Sequence, residues 1–314
     1  MPNVQSLIEH ITQMLAHKML QEKYSICVVS PQNYTHSRAF DEIAESLLHA
    51  LTNLSYDVVR ASNTCYTDRT TILLGGNLLN ESDLKSLPRD TIIYNFEQLS
   101  DDSTWLSDAY KYGLENFQVW DYRKQNIRYL DSLKTLFKPM YVPIGYCQEL
   151  EKIRPAAHQD IDVLFYGSLN QRRKSILRLV EDQNLRMKCL FNVYGEERDD
   201  YISRSKVVLN LHYYDAQILE IARISYLLNN KIAVVSEYSD STEVYEHLRN
   251  DLCLVDKKNI PSTIVKLIKD SDARDRIKRN GHTAFSQVSQ TELVKAALER
   301  NARNRSLLVH KFSA

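Results

Sequence analysis

The sequence predicts an α/β protein made of two Rossmann-like domains, each a doubly wound parallel sheet, that face each other across a cleft. Short apolar runs alternate with helix-length segments along most of the chain, as they do in parallel sheets whose strands are joined by helices. The chain has 314 residues, which is enough for two domains of roughly 150 residues each. The polar segment Gly145–Gln159 separates two such alternations and is the expected linker.

The composition excludes several classes of protein. Lys plus Arg and Asp plus Glu both number 40, so the strongly basic field typical of a nucleic-acid-binding protein is absent. The five cysteines are scattered and form no C-x-x-C pair, a pattern typical of reduced thiols in the cytoplasm. No apolar run approaches the ~20 residues that span a bilayer. We therefore expect a cytoplasmic protein with no transmembrane segment and no nucleic-acid partner.

The first domain is expected over residues 1–150. Its first helix, Val4–Leu20, has apolar residues at helical spacing, and another helix is predicted over Ser37–Leu54. The predicted strands are Ile26–Val29, Asp57–Val59, Thr71–Leu74, Thr91–Tyr94, Gln118–Trp120 and Met140–Pro143.

The second domain is expected over residues 151–290. Its predicted strands are Ile161–Phe165, Val207–Leu211 and Ile232–Ser236. One helix is predicted to begin at Gln171 and another to span about Gln217–Leu228. Beyond Val255 the chain is predicted to be helical, with Pro261 opening one helix, Gly281 ending another, and a charged helix over Thr291–Val309.

Two loops of the second domain contain residue types that anions and sugar hydroxyls require. The first follows strand Ile161–Phe165 and offers backbone N–H groups and cations to a phosphate. Its candidates are Gly167, Ser168, Arg172 and Arg173; the alternative for each arginine is a place on a solvated helix face.

The second loop leads from His212 into a helix with Glu220 in its predicted first turn. A carboxylate there faces the strand ends and can bind ligand hydroxyls, although it also stabilises a helix N-terminus by itself. His212 can donate to or accept from a ligand, or be structural. The remaining candidates in this loop are Tyr214 and Asp215, and more weakly Gln217.

These segments resemble a known group of enzymes. Asp162–Ser168 with Arg172 and Arg173, then Val193–Glu196, Val207–Glu220 and Ala233–Glu237, are similar to the bacterial family-1-type group of GT-B glycosyltransferases. The resemblance implies that the C-terminal domain holds a nucleotide-sugar donor. It further implies that Glu220 binds the ribose hydroxyls, that the Gly167 loop and the arginines bind the diphosphate, and that residues 291–314 form a helix packing back on the N-terminal domain.

The chain departs from that group at one position. Retaining members have a Glu-x7-Glu motif, but His212 stands where the first of the two acids is expected. This difference leaves the stereochemical outcome open and makes His212 a candidate catalytic residue.

The first domain offers candidates at the ends of its strands. Asn33, Tyr34 and His36 follow the first strand, where GT-B enzymes commonly place acceptor or catalytic groups. His36 is a candidate general base; the alternative is that Ser37 and its neighbours simply cap the next helix. Glu97 follows another strand and is an acceptor-side candidate on the same geometric argument. Gly75-Gly76-Asn77 permits close backbone approach, or is a plain turn.

A competing motif is the D-x-D sequence of Asp160 and Asp162. Two such carboxylates hold a divalent ion against the diphosphate in glycosyltransferases of the other fold. Here the motif opens a strand at the domain junction, so we expect no metal site.

The sequence therefore predicts a metal-independent glycosyltransferase without a cofactor, using a nucleotide-sugar as donor substrate. The acceptor, whether glycan, lipid, protein or small molecule, is not identified by the sequence. The alternative is a non-catalytic nucleotide- or sugar-binding protein on the same scaffold. A dehydrogenase is disfavoured because no G-x-G-x-x-G follows any predicted strand.

Overall fold

The computed structural model describes residues 22–100, 106–213, 220–240 and 242–312. The chain divides into two compact units, one formed by residues 1–143 together with 290–314, the other by residues 144–289. Each unit has its own parallel sheet with interleaved helices, which confirms the predicted α/β class. The predicted helix Val4–Leu20 lies outside the described residues.

Parallel strands make up both sheets. The first sheet has the order β2-β1-β3-β4-β5-β6, with β1 (Lys23–Val28), β2 (Asp57–Ser62), β3 (Thr70–Leu74), β4 (Ile92–Asn95), β5 (Gln118–Asp121) and β6 (Met140–Tyr141). The second has the order β11-β10-β9-β7-β8, with β7 (Ile161–Tyr166), β8 (Met187–Leu190), β9 (Ser205–Asn210), β10 (Val234–Glu237) and β11 (Cys253–Val255). All strand pairs run parallel, so the loops that follow the strands gather at one edge of each sheet.

Helices connect the strands. The helices of the first unit are α1 (Asp41–Asn53), α2 (Glu81–Ser86), α3 (Asp108–Asn116) and α4 (Lys124–Ser132). The second unit contains α5 (Gln171–Glu181), α6 (Gly195–Ser203), α7 (Ile221–Asn229), α8 (Ile260–Lys269) and α9 (Ser271–Ser286). The last helix, α10 (Gln290–Phe312), belongs to the first unit, where it packs on α1. None of the helices in the described ranges is long and apolar enough to cross a membrane.

The apolar runs that predicted the strands form the two cores. In the first unit Leu73, Ile93 and Val119 are buried together with side chains of α3. In the second, Phe165 and Leu209 are fully buried within a cluster that extends to α8. A strand buried on both faces needs apolar residues at successive positions, which is why these runs are continuous.

Three local predictions were wrong. The helix predicted from Ser37 begins at Asp41, because Thr35–Phe40 forms a 3-10 turn first. The helix predicted from about Gln217 begins at Ile221, so Glu220 is its N-cap residue. Gly281 does not end a helix: it lies buried inside α9, where a Cβ atom would come within 2.8 Å of Leu228.

The segment predicted as a linker is bound to the second unit. Buried amides at the end of α7 hold its backbone: the Cys147 N–H donates to Asn229 Oδ1 at 3.1 Å, and the Lys152 and Ile153 N–H groups both donate to Asn230 Oδ1 at 2.7 Å. The division between the units therefore falls after Pro143, earlier than the expected boundary near residue 150.

Candidate active site

The first loop of the second unit is shaped by a glycine and a capped helix. Gly167, directly after β7, has a φ of 130°, a backbone angle that residues other than glycine rarely adopt. A Cβ atom there would come within 2.5 Å of the Arg223 guanidinium. Three residues on, the Asn170 side chain accepts from the Arg173 N–H at 2.8 Å and caps α5. The loop therefore brings its backbone close to arginine side chains.

Arg173 connects three segments of this site. Its side chain is 2% exposed, and its guanidinium donates to the carbonyls of Ser168 (2.7 Å) and Leu211 (2.6 Å). It also ion-pairs with Glu220. Burial lowers the pKa of Arg173 to about 10, so the side chain stays cationic at neutral pH. Because most of its donors are used within the protein, Arg173 joins these segments to one another.

Glu220, the N-cap residue of α7, lies beside the Gly167 loop and is held by two cations. One carboxylate oxygen pairs with Arg173 and the other with Arg223 at 2.8 Å. Arg223 also donates to Asn210 Oδ1 at 3.1 Å and lies over the Tyr166 ring. The Glu220 side chain is 24% exposed, so part of this positioned carboxylate is accessible.

A second ion pair joins the neighbouring strand ends. Arg172 makes a two-pronged contact with the Glu237 carboxylate at the end of β10 and donates to the His212 carbonyl at 3.0 Å. The His212 N–H in turn donates to Glu237 Oε2 at 3.1 Å. Burial alone would raise the pKa of Glu237, but these two donors hold it below its usual value. Arg172 is 18% exposed and is the more accessible of the two predicted arginines.

His212 is completely buried at the end of β9. Burial lowers its pKa, so the imidazole is neutral at neutral pH. Within the described part of the chain neither ring nitrogen has a hydrogen-bond partner. Residues 214–219, which include the candidates Tyr214, Asp215 and Gln217, lie outside the described residues.

Among the described residues the cluster contains more cations than anions. Three arginines (172, 173 and 223) and two glutamates (220 and 237) leave one net positive charge with His212 neutral. Carboxylate oxygens suited to ligand hydroxyls thus lie beside guanidinium groups and helix N-termini suited to a phosphate.

In the first unit, Tyr34, His36 and Glu97 lie in loops that follow strands. Tyr34 is 39% exposed, with its ring centroid 5.3 Å from that of His36, and Asn33 is an exposed residue with a φ of 63°. Ser37 does not cap a helix: its Oγ donates to the Val29 carbonyl at 2.7 Å. Glu97 accepts a hydrogen bond from Asn77 Nδ2 at 3.1 Å.

The D-x-D carboxylates are engaged in ion pairs. Asp160 pairs with Arg204 at 2.6 Å, and Asp162 pairs with both Arg186 and Lys206 at 2.8 Å. These cations hold the pKa of Asp160 and of Asp162 below the usual range. Both residues stand at the start of β7, opposite the end that carries Gly167. Across the described ranges, no group of three or more His, Cys, Asp or Glu side chains is arranged to hold a metal ion.

Sequence reasoning missed the partners of the predicted residues. Arg223 lies three positions after Glu220, a spacing that places both on one helix face and could have indicated the pair. Glu237 directly follows the predicted strand Ile232–Ser236, at the same sheet edge as His212. Its pairing with Arg172 has no signal in sequence spacing, because the two residues are 65 positions apart.

Comparison with known structures identifies the fold. HepE of Anabaena, solved with UDP and glucose, superposes with a TM-score of 0.56, at 10% identity over 90% of this chain and 99% of that one. The chain has the GT-B glycosyltransferase fold. Two further glycosyltransferases support this, each with a TM-score of 0.51: AviGT4 of avilamycin A biosynthesis (11% identity, 90% and 98% of the two chains) and a DNA-modifying β-glucosyltransferase (9% identity, 88% and 98%).

Comparison of sequences alone does not identify the fold. No protein-family model matches the chain. Two uncharacterized proteins of Acanthamoeba polyphaga mimivirus are each 28% identical to it, over 163 and 150 residues, or 51% and 47% of this chain. The aligned regions span 22% and 49% of the lengths of those two relatives.

Proposed function

We propose that the protein is a glycosyltransferase that binds a nucleotide-sugar in its second unit and transfers the sugar to an acceptor. The observation that supports this most strongly is Glu220, placed at the start of α7 between Arg173 and Arg223, beside the glycine loop after β7. This carboxylate is suited to ribose hydroxyls, and Arg172 with the N-terminus of α5 is suited to the diphosphate. Structural neighbours with the same fold were solved with UDP or UDP-glucose.

The chemistry proposed for the site is positional and electrostatic. The sugar–diphosphate bond breaks with the negative charge moving onto the departing diphosphate. Fixed cations and helix N–H groups stabilise that charge without reorganising. With Asp160 and Asp162 both paired to cations, we propose that no metal ion takes part and that no cofactor is needed beyond the donor substrate. The cysteines, all free thiols, fit the cytoplasm as the proposed location.

A second candidate function is binding without catalysis. It is favoured by His212, which replaces the first acid of the retaining motif and has a completely buried ring. A completely buried imidazole presents no accessible nitrogen to a bound sugar. A protein that binds UDP-glucose but neither hydrolyses nor transfers it would have this second function.

The test is donor binding by the Glu220→Ala variant. Titration calorimetry with UDP should show affinity weakened by about 10- to 150-fold, because hydrogen bonds to a charged group are worth roughly 1.5–3 kcal/mol. UDP and UDP-glucose should also raise the melting temperature of the wild-type protein. Glu181→Ala, an exposed position at the C-terminal end of α5, is the control in the same unit.

The Glu220 assignment is contradicted if Glu220→Ala binds UDP as tightly as the wild type does.

UDP-glucose turnover should persist in excess EDTA. Loss of turnover in EDTA, with recovery on adding magnesium or manganese, would contradict the metal-independent mechanism and favour the D-x-D motif.

A further inference from the structure

Residues 63–69 connect two strands of the first sheet without a helix. They join β2 to β3, which lie on either side of β1 and run parallel to it. Because parallel strands all begin at the same edge, this connection returns from the carboxyl edge of the sheet to its amino edge. A connection this short has little slack over that distance, so it passes directly over β1. We call residues 63–69 the crossover segment.

Hydrogen bonds and an ion pair fix both ends of the crossover segment on β1. At the carboxyl edge the Asn63 N–H donates to the Val28 carbonyl at 3.2 Å. The Asn63 side chain also exchanges two hydrogen bonds with the Ser30 backbone, at 2.6 and 2.7 Å. At the amino edge Asp68 pairs with Lys23 at 3.5 Å. The segment therefore runs in the direction opposite to β1, and its middle lies over the middle of that strand.

This register brings Cys65 of the crossover segment to Cys27 of β1. Cys27 is 1% exposed, and the half-buried Cys65 packs against the apolar cluster that contains it. The two thiols share a hydrogen bond, and the Thr71 side chain forms another with Cys65. They are the two cysteines of the first unit, because the other three in the sequence fall within residues 144–289.

The shared hydrogen bond makes the two thiols unequal in reactivity. It lowers the pKa of Cys65, and the same bond, together with burial, raises the pKa of Cys27. The thiolate is the reactive form of cysteine, so Cys65, which is also the more accessible of the two, is expected to react first. Cys27 is enclosed but already contacts the Cys65 sulfur, so it can react with a product that forms there.

We propose that Cys27 and Cys65 form a reversible disulfide when a hydroperoxide, such as hydrogen peroxide, oxidises the protein. The Cys65 sulfur attacks one peroxide oxygen and the O–O bond breaks. The released hydroxide takes up the Cys65 proton as water, which leaves a sulfenic acid. The Cys27 sulfur then bonds to the Cys65 sulfur, the S–O bond breaks, and the hydroxide leaves with the Cys27 proton as a second water. Each sulfur gives up one electron, and the peroxide gains two.

The disulfide would fasten the crossover segment to β1. Two thiols in hydrogen-bond contact must approach by roughly 1.5–2 Å to reach the S–S distance of about 2.05 Å. The link closes a loop that includes α1 and β2, so it restricts the unfolded chain and stabilises the first unit. The thiol pair needs neither donor nor acceptor, so its chemistry is independent of the proposed transferase function.

The test treats the full-length protein with hydrogen peroxide and then removes the peroxide with catalase. Remaining thiols are alkylated under denaturing conditions, and disulfides are mapped by non-reducing peptide mass spectrometry. The expected product is a pair of peptides joined through Cys27 and Cys65, which dithiothreitol separates again. Recovery of both residues as alkylated thiols, at a dose that oxidises the exposed Cys189, would overturn the proposal. A Cys65 oxidised to sulfinic acid beside an unchanged Cys27 would overturn it too.

Three variants separate the roles of the two sulfurs. Cys65→Ser should lose the cross-link and leave Cys27 as a free thiol, because the enclosed sulfur does not meet the oxidant. Cys27→Ala should leave Cys65 as a sulfenic acid that dimedone captures, whereas the wild type should give little of this adduct. Cys253→Ser, at a partly buried cysteine of the second unit, is the matched control and should keep the cross-link. Equal dimedone capture in Cys27→Ala and the wild type would contradict the role of Cys27.

Hydrogen exchange shows whether the bond fastens the crossover segment. In the oxidised protein, amides of residues 57–74 should exchange about 10-fold or more slowly than in the reduced protein. Amides of residues 161–255, in the second unit, should keep their rates. Cys65→Ser treated in the same way should show no change. Unchanged exchange in residues 57–74 of the cross-linked protein would contradict the stabilising effect of the disulfide.

Discussion

Individual buried polar residues in this protein serve as supports for the residues that are candidates for function. Asp121 is the clearest case, since it is fully buried and accepts three hydrogen bonds: from Asn95, Asn126 and the Arg123 N–H at 2.7 Å. Burial raises its pKa to about 7, which these three donors partly oppose. An acceptor-only group is required there because all three partners donate.

Asp121→Asn should therefore destabilise the protein. Its amide has one acceptor oxygen and one NH2 group, so at least one of the three donors must face another donor. The expected loss in the free energy of unfolding is about 1–3 kcal/mol, measured by urea denaturation at pH 8. Asp131→Asn, at an exposed position of α4, should have little effect. Equal stability of the two variants would show that Asp121 is not held as described.

At the residue scale the sequence predicted the members of the second-unit site better than their roles. Gly167, Ser168, His212 and Glu220 come together because parallel strands end at one edge, a consequence of chain pattern alone. Arg173 was predicted to meet a ligand, but it is buried against carbonyls of two loops. That role depends on side-chain geometry between segments about 40 residues apart, which spacing does not encode.

Among the elements, the packing of α9 on α7 explains a glycine that the sequence pattern misplaces. The pattern predicts a helix end at Gly281, since glycine weakens helices. In the fold it lets α9 approach Leu228 of α7 closely, and the His282 Nδ1 atom lies 3.0 Å from the Leu228 carbonyl. The packing of the two helices, and not a stop signal, explains the glycine.

Gly281→Ala separates these two effects because they have opposite signs. Helix propensity alone favours alanine by about 1 kcal/mol. A methyl group 2.8 Å from Leu228 should outweigh this and cost about 1–3 kcal/mol, lowering the melting temperature. Asn280→Ala, exposed on the same helix, gains propensity without the contact and should be neutral or stabilising. Stabilisation by Gly281→Ala would mean that Leu228 moves away without cost.

Strands buried on both faces were predicted well, whereas the edge strand β8 was missed. The run Ile161–Phe165 is apolar at almost every position and forms most of β7. The edge strand β8, with the sequence MKCL, was not predicted because two of its four residues are exposed and one of them is a lysine. An edge strand needs less apolar surface, so its pattern is weaker.

At the scale of the whole molecule, the first unit is discontinuous in sequence. Residues 144–289 form the second unit, and the chain then returns to complete the first with α10. Val294, Ala297 and Leu298 of α10 are buried, as are Ile43, Leu47 and Leu51 of α1, on which α10 packs. The resemblance to GT-B enzymes had implied such a return of the last helix.

A chain ending at Ser289 should lose stability in the first unit only. Exposing Val294, Leu298 and their contacts on α1 costs about 1.5–3 kcal/mol for each large side chain. Hydrogen exchange should therefore accelerate in residues 23–143, while protection in residues 144–289 and UDP affinity stay unchanged. The full-length protein is the reference. Equal protection of the first unit in both chains would show that α10 contributes little to it.

The return of the chain also sets an order of events on the ribosome. Domains generally fold as units while the chain is being made, N-terminal first. Here residues 144–289 are all synthesised before α10, so the first unit lacks its last helix throughout that interval. At roughly 5–20 residues per second, a sheet with the incompletely covered helix α1 persists for many seconds in every new molecule. That interval is when chaperones have a surface to bind, and when a stalled or prematurely terminated chain is most exposed to aggregation.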